Sequence, residues 1–335
     1  MKTLFPFILL IMACTTILAA SAATQTQKLP NPLSIVQALS YAQQHPAVKL
    51  SAEERKHFVA VNPLYLNCHR LAYSNDVAVD YQRNASFSEL VDPEVAQELR
   101  IMQRFFDVLL ADASVMADNE SMAIAYVRLD RAKSRMELKQ LSEVQVAALE
   151  ARYQDTLQRY KGSSELQHLS RAYLAQAIAH VGQLPRDLKT VNPIQLPTEL
   201  PEVSELLQQA HDNNSWLAKQ RENRSASLRQ VQDMQLRLYV TELLARLKML
   251  KAAQQHLDKT ASWRDLALEQ SRTLYEQEAR SDLGDSMAEQ TRVQFQIQQI
   301  SFCQILTWAR LNALQGKPIL TRQQTKPEKA TKATP

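Results

Sequence analysis

The stretch that decides the fold is LRIMQRFFDVLLADASVMADNESMAIAYV, residues 99–127. Alternating steps of three and four residues trace a seam through it that is apolar at all but one position: Leu99, Met102, Phe106, Leu109, Ala113, Met116, Glu120, Ala123 and Val127. A mean step of 3.5 residues keeps a seam facing its partner when two helices supercoil left-handedly. An ordinary amphipathic helix of period 3.6 would drift by about 20° per heptad. Four heptads in register therefore favour a coiled-coil helix.

The same rhythm returns in the second half of the chain, at Leu236, Val240, Leu243, Leu247, Leu250, Gln254, Leu257 and Ala261. Sequence signals also mark where each long helix reverses. Ser142 with Gln145 and Ser286 with Glu289 match capping boxes, and Gly182 with Pro185 and Gly316 with Pro318 match helix stops. The sequence therefore predicts an all-α fold of two tandem long antiparallel helical hairpins, 93–140 against 142–181 and 215–281 against 286–315, packed as a coiled-coil bundle.

The first 22 residues have the features of a secretory signal peptide: Lys2, an apolar stretch from Leu4 to Leu18, and the small residues Ala20, Ser21 and Ala22. Ile11-Met12-Ala13-Cys14 offers a second interpretation, because it resembles a lipoprotein processing box that would make Cys14 a lipidated first residue. Ordinary cleavage after Ala22 is favoured, since the apolar run before Cys14 is short. Both interpretations predict an exported protein.

Proline-rich and polar stretches divide the remaining chain. We expect a first hairpin repeat at 23–184, with an irregular connection at 61–92 that contains at most one short hairpin of strand, around DVAVDYQ (76–82). A proline-rich linker follows at 185–201, and a second hairpin repeat at 202–316. The basic tail 317–335 lacks a sustained apolar period, so we expect it to be disordered.

Composition excludes several other classes of protein. Four glycines in 335 residues are too few for the phosphate-cradling loops of nucleotide-binding α/β enzymes. A net charge of +4 gives no indication of a nucleic-acid partner. If the signal peptide is removed, Cys68 and Cys303 remain, and two thiols so far apart in sequence do not make a disulfide framework. We expect Cys303 to be a buried free thiol inside a helix.

No pattern in the sequence indicates an enzyme. The seven histidines form no pair at i and i+4 of the kind that binds zinc. The adjacent Cys68 and His69 have no second Cys/His pair to complete a metal site. We therefore expect no catalytic, cofactor-binding or metal-binding residues, and no small-molecule substrate that the chain would process.

Four segments together resemble the outer-membrane efflux protein family typified by TolC. LSIVQALSYAQQHPAVKL (33–50) resembles the start of that family, and LKQLSEVQVAALEARY (138–153) resembles its first hairpin tip. DLGDSMAEQTRVQF (282–295) resembles the second tip, and LTWARLNALQGKP (306–318) resembles the usual ending. The segments occur in the family's order and span about residues 33–318.

The resemblance implies a passive component of a cell-envelope efflux or secretion system, located at the outer membrane or in the periplasm. It implies a homotrimer whose hairpin tips engage a periplasmic adaptor, while an inner-membrane pump supplies the energy. The tip residues carried over from the family are Leu141, Ser142, Glu143, Leu283, Gly284 and Asp285. The alternative is a periplasmic helical scaffold that binds partners and transports nothing.

The sequence departs from the family in two respects. The resemblance implies that each half contributes two β-strands to a shared outer-membrane barrel. A membrane strand takes about 9–11 alternating residues, and neither half has room for two such strands, so we expect a shortened member that lacks most or all of them. The family's glycine before each tip is also missing, because Lys139 and Gln140 occupy the first position and Glu278 and Ala279 the second.

Overall fold

The computed structural model describes residues 28–51, 54, 64–73, 83–277 and 283–320, and most of these residues are helical. The helices are α1 (Ile35–Leu39), α2 (Cys68–Tyr73), α3 (Arg83–Leu90), α4 (Pro93–Glu137), α5 (Glu143–Ala177), α6 (Val203–Asn213), α7 (Ser215–Glu222), α8 (Ala226–Glu276) and α9 (Leu283–Leu314). The described residues contain no β-strand, only one isolated parallel bridge between Leu33 and Leu188. The predicted all-α fold is confirmed.

Helices α4 and α5 form the first hairpin. Asp92 caps α4, since its side chain accepts a hydrogen bond from the Glu94 N–H, and Pro93 fits the first turn because its missing N–H would have no helical partner. Helix α4 has 45 residues, a length of about 67 Å at 1.5 Å per residue. The capping box predicted at Ser142 and Gln145 is present and begins α5.

Helices α8 and α9 form the second hairpin, with two differences from the prediction. The expected run 215–281 is broken at 223–225, because Asn223 ends α7 and the Ser225 side chain caps α8 by accepting from the Leu228 N–H. The predicted capping box at Ser286 is wrong, since α9 is already helical at Leu283. The Ser286 hydroxyl instead lies 2.7 Å from the Ser271 hydroxyl of α8.

Three of the long helices end in the same left-handed turn, but only one of these turns uses glycine. Gly316 after α9 has φ +69°, as predicted, and an added Cβ would lie 2.5 Å from the Asn213 carbonyl oxygen. The predicted stop at Gly182 is wrong, because α5 ends at Ala177 and Ala179 takes the left-handed conformation with φ +53°. Lys139 does the same after α4, with φ +58°.

The four long helices lie side by side in the order α5, α4, α9, α8. Extensive packing joins α5 to α4, α4 to α9, and α9 to α8, while α5 and α8 are not among the pairs in extensive contact. The contact between the two hairpins is centred on Phe106 and Phe302, whose rings stack with centroids 4.4 Å apart. Both rings are buried. The arrangement is an open row with α5 and α8 at its two edges.

The short elements cover the end of the row away from the hairpin tips. Asn214, between α6 and α7, ties them together: its side-chain amide donates to the carbonyl oxygens of Leu90 and Leu314, and its side-chain oxygen accepts from the Leu217 N–H. The connection predicted to be irregular at 61–92 contains α2 and α3 where it is described. The predicted strand at 76–82, the signal peptide with Cys14, and residues 321–335 of the tail lie outside the described residues.

Cys68 and Cys303 form a disulfide, with Cα atoms 5.3 Å apart, so the prediction of a buried free thiol is wrong. The two cysteines are 235 residues apart in sequence. They meet because α2 packs onto both α8 and α9, which is a tertiary arrangement that residue spacing cannot reveal. The disulfide cross-links α2, in the connection 61–92, to α9 of the second hairpin.

Replacing both Cys68 and Cys303 by Ser should lower the free energy of unfolding by about 2–5 kcal/mol, because the closed loop no longer restricts the unfolded chain. Urea unfolding followed by circular dichroism measures the change. A reducing agent should destabilise the wild-type chain by a similar amount and leave the double variant unaffected. Equal stability of the oxidised and reduced wild-type chain would contradict this role.

Candidate partner-binding site at the hairpin tips

The first tip is a tight turn that connects α4 to α5. The Lys139 N–H donates to the Met136 carbonyl oxygen, and the Gln140 N–H donates to the Arg135 carbonyl oxygen, at 2.8 Å each. This pair of bonds is the Schellman motif, which requires a left-handed residue at its centre. Lys139, with φ +58°, therefore occupies the left-handed position that favours glycine.

Leu141 and Ser142 hold this tip together. Leu141 precedes the N-cap residue and packs with Val146, the fourth residue of the new helix, in the arrangement called a hydrophobic staple. These two side chains belong to a small core that is separate from the main one, made by Leu129, Ala132 and Val146 with Met136, Leu141, Leu149 and Tyr153 around them. Two of the predicted contact residues thus have structural roles at the tip.

Two apolar side chains at the first tip are exposed to solvent. Leu138 is 69% exposed and Val144 is 78% exposed, and they flank the turn at the C-cap of α4 and the second position of α5. Glu143, which was predicted, is exposed beside them. Sequence reasoning missed Leu138 and Val144, although their places next to the two helix caps could have indicated them.

The second tip is described from Leu283 onward. Leu283, Gly284 and Asp285 are all partly buried in the first turn of α9. Gly284 lies against α4, since a Cβ added there would be 3.2 Å from Cγ1 of Ile124. At this position the glycine allows the two hairpins to approach each other closely.

Asp285 connects the two hairpins. Its carboxylate accepts a hydrogen bond from Arg128 of α4 at 2.5 Å, and a guanidinium nitrogen of Arg152 of α5 lies 4.0 Å away. Further along the same contact, the Thr291 hydroxyl donates to Glu120 at 2.8 Å. Asp285 is therefore a link between the hairpins as well as a tip residue.

The Arg128–Asp285 contact also fixes the relative heights of the tips. It places the start of α9 beside residue 128 of α4, and α4 continues for about ten more residues, or about 15 Å. Both tips emerge at the same end of the row, and the first one extends beyond the first turn of α9. Leu138 and Val144 lie on this projecting part.

Strongly perturbed ionisable groups lie near the other end of the molecule. Burial raises the pKa of Glu98 to about 7, and the neighbouring Glu94 and Asp92 add to the effect. Burial also raises the pKa of Asp107, which accepts a hydrogen bond from Arg104 at 2.9 Å. Among the described residues, no group of three His, Cys, Asp or Glu side chains is placed to hold a metal ion.

Comparison with known proteins gives matches in structure only. No protein-family model matches the chain, and no curated protein matches it. A CusC structure concerned with conformational changes during folding and transmembrane channel formation is 12% identical, covers 90% of this chain and 96% of that one, and gives a TM-score of 0.55. A membrane protein from Pseudomonas aeruginosa is 10% identical over 71% of this chain and 70% of that one, with a TM-score of 0.50.

The open state of the MtrE outer-membrane channel of Neisseria gonorrhoeae is 14% identical, with 85% and 89% of the two chains covered and a TM-score of 0.42. The likeness to CusC agrees with the row of long helices described above. The described part of the chain has the fold of the helical part of TolC-like outer-membrane channels. In the same residues, no helix is both long and apolar enough to span a membrane.

Replacing Lys139 by Gly should raise the free energy of unfolding by about 0.5–1 kcal/mol, because glycine adopts a left-handed conformation without the strain of a Cβ. Urea unfolding of the mature chain measures the change. Gln140→Gly is the matched control: its φ is not positive, so glycine there should leave stability unchanged or lower it. Destabilisation by Lys139→Gly would contradict the assigned turn.

Proposed function

We propose that this chain is a TolC-like component of a cell-envelope export system, which docks a periplasmic adaptor at its hairpin tips and performs no catalysis. The observation that carries the proposal is the pair of parallel hairpins whose tips emerge together, with Leu138 and Val144 uncovered on the projecting one. Energy for transport would come from an inner-membrane pump that the adaptor connects to this chain.

The geometry of the first tip suits a coiled-coil partner. Exposed apolar side chains at the end of a rigid antiparallel hairpin provide knobs that a helical partner can accept between its own side chains. Glu143 and Lys139 add one negative and one positive charge beside them, and such charges set orientation more than affinity. The staple of Leu141 and Val146 keeps the turn rigid, so little conformational entropy is lost when a partner binds.

Val144→Asp and Leu138→Lys should abolish capture of the adaptor, since each replaces an exposed apolar side chain by a charge. Both substitutions suit the helix, because an acidic residue in a first turn and a basic one at a last turn interact favourably with the helix dipole. Photo-crosslinking from position 144 in the native envelope, followed by mass spectrometry, identifies the partner.

Val181→Asp is the matched control for these variants, because Val181 is also exposed but follows α5 at the opposite end of the row. It should leave capture unchanged. Leu141→Asp is a poor probe, since it would disrupt the small core of the tip. Undiminished capture by both Val144→Asp and Leu138→Lys would remove the tip assignment.

The row of helices supports a homo-oligomer, a trimer by the family resemblance. Among the described helices, α5 and α8 each pack extensively on one long helix, and α8 presents Leu266 and Trp263 to solvent, the latter 56% exposed. In a closed ring, α8 of one copy would pack on α5 of the next in a heterologous contact. Such a ring would leave neither edge uncovered.

The positions of residues along the helix axes identify which residues of α5 and α8 would meet in such a ring. The contacts of Gln167 with Asp112, of Glu120 with Thr291, and of Gln290 with Asp265 join the four helices step by step. Counting at 1.5 Å per residue from these contacts places Gly162 of α5 at about the height of Trp263 of α8.

A ring axis parallel to the helices keeps those heights, so Gly162 of one copy would lie beside Trp263 of the next. Apart from the backbone of its own helix turn and its chain neighbours, no atom of the described residues lies within 4 Å of a Cβ added at Gly162, which leaves room there for a side chain from outside. By the same count Glu165 lies level with Lys259, and both are exposed. Opposite charges would therefore face each other beside the glycine.

Gly162→Ala and Gly162→Leu should each stabilise α5 in the isolated chain, the alanine by about 1 kcal/mol, yet weaken assembly. The larger side chain should weaken association at least about tenfold, as expected when a packed contact is overfilled. Light scattering after size-exclusion chromatography measures the oligomer. Trp263→Ala should also weaken it and should be non-additive with Gly162→Leu. Unchanged association of Gly162→Leu would contradict the contact.

Cell fractionation separates this proposal from the alternative of a scaffold that transports nothing. An oligomer that fractionates with the outer membrane supports an export component. A monomer released with the soluble periplasmic proteins would favour the scaffold. Labelling with palmitate, compared with a Cys14→Ala variant, decides between ordinary signal cleavage and lipidation.

A further inference from the structure

A cluster of buried polar groups lies on α2, α8 and α9, far from the hairpin tips. The Cys68–Cys303 disulfide holds α2 in place, and the next residue, His69, stacks on Tyr73 with ring centroids 4.6 Å apart. Arg310 lies seven residues after Cys303 and therefore on the same face of α9. Helix α8 contributes Glu242 and Arg246 to this cluster.

The charges of this cluster do not balance among the described side chains. Arg246 is 6% exposed and donates to the Glu242 carboxylate at 2.6 Å. Arg310 has no ion-pair partner in the described part of the chain, and its guanidinium carbon lies 5.9 Å from the centre of the Phe87 ring. Glu242 is the one carboxylate among the described side chains whose charge acts on both guanidinium groups, so the described part of the cluster has an excess positive charge.

Burial lowers the pKa of Arg310 to about 10, and the positive charge of Arg246 acts in the same direction. Arg310 nevertheless stays protonated at neutral pH, so the excess charge persists. Burial lowers the pKa of His69 as well, which makes this imidazole neutral under the same conditions.

Several nitrogen atoms of the cluster are also without hydrogen-bond partners. Both ring nitrogens of His69 and Nε of Arg246 are buried and have no hydrogen-bond partner among the described residues. A buried polar atom without a partner is uncommon in native proteins, and an unseen water or ion often accounts for it. Here the unpaired nitrogens lie where the positive charge is in excess.

We propose that this cluster binds a small oxyanion of the phosphate class, held by Arg246, Arg310 and His69. A guanidinium group presents a fork of N–H donors that matches phosphate oxygens, and the neutral imidazole supplies one more donor. Arg310 remains partly accessible to solvent, which provides a path of entry. The site is separate from the tips and from the proposed contact between Gly162 and Trp263, so it does not depend on the proposed export function.

The test is thermal unfolding of the mature chain in sodium phosphate and in sodium chloride of equal ionic strength. We expect phosphate at about ten times its Kd to raise the midpoint by about 2–3 °C, since a ligand that binds only the native state stabilises it. Arg310→Met should lose this rise. Its midpoint in chloride should be unchanged or higher, because an unbalanced buried charge has been removed.

Arg159→Met is the matched control, since Arg159 is an exposed arginine on α5 paired with Asp155, and it should keep the full rise. Arg310→Lys keeps the charge but not the fork, so it should retain only part of the rise. An equal rise in Arg310→Met and the wild type, or no rise in the wild type, would overturn the site.

Vesicle flotation distinguishes the two sources of phosphate. Binding to vesicles of phosphatidic acid but not of phosphatidylcholine, abolished by Arg310→Met, would identify a lipid headgroup as the ligand. A phosphate-dependent rise without vesicle binding would identify the free anion. Binding to phosphatidic acid that Arg310→Met leaves intact would exclude the cluster as the lipid site.

Discussion

The contact between α4 and α9 is the constraint on which the rest of the structure depends. It is the only extensive packing between long helices of different hairpins in the described residues, and the stacked rings of Phe106 and Phe302 lie in it. Each hairpin could form from its own apolar seam, but only this contact places the two side by side. It brings the tips to the same end and leaves α5 and α8 as free edges.

Local capping interactions define the first tip, whereas contacts between the two hairpins define the second. At the first tip, the Schellman turn and the Ser142 capping box define the reversal, and the staple of Leu141 and Val146 stabilises it. At the second tip, Gly284 and Asp285 face the first hairpin, where they make a close contact and an ion pair. Exposed ion pairs contribute little stability, so this one positions the hairpins more than it stabilises them.

The end away from the tips is organised in a different way. Short helices from four parts of the sequence pack around the long ones there, joined by the Asn214 hydrogen bonds and by the disulfide. This end also carries the buried polar groups, including Glu98, Asp107 and the arginine cluster. The molecule therefore has one end at which Leu138 and Val144 are exposed and an opposite end rich in buried charge.

Much of the architecture could be predicted from the sequence, because heptad spacing and cap residues act locally. The capping box at Ser142 and the stop at Gly316 could be predicted, since each depends on residues within a few turns. The seam predicted at 99–127 is correct only in its first half, because Met116 is 72% exposed and Val127 is 45% exposed. Lys139 shows the limit of this reasoning: the residue type gave no indication of its left-handed backbone, which the hydrogen bonds of the turn impose.

The sequence by itself determined the helices, their pairing into hairpins and the approximate place of the tips. Only the tertiary structure decided that Cys68 meets Cys303, that Asp285 joins the hairpins, and that Leu138 and Val144 are the uncovered side chains. The physical reason is the sequence distance over which the interactions act. Periodicity and capping depend on residues that are close in sequence, whereas cross-links, exposure and charge balance depend on distant residues that only packing brings together.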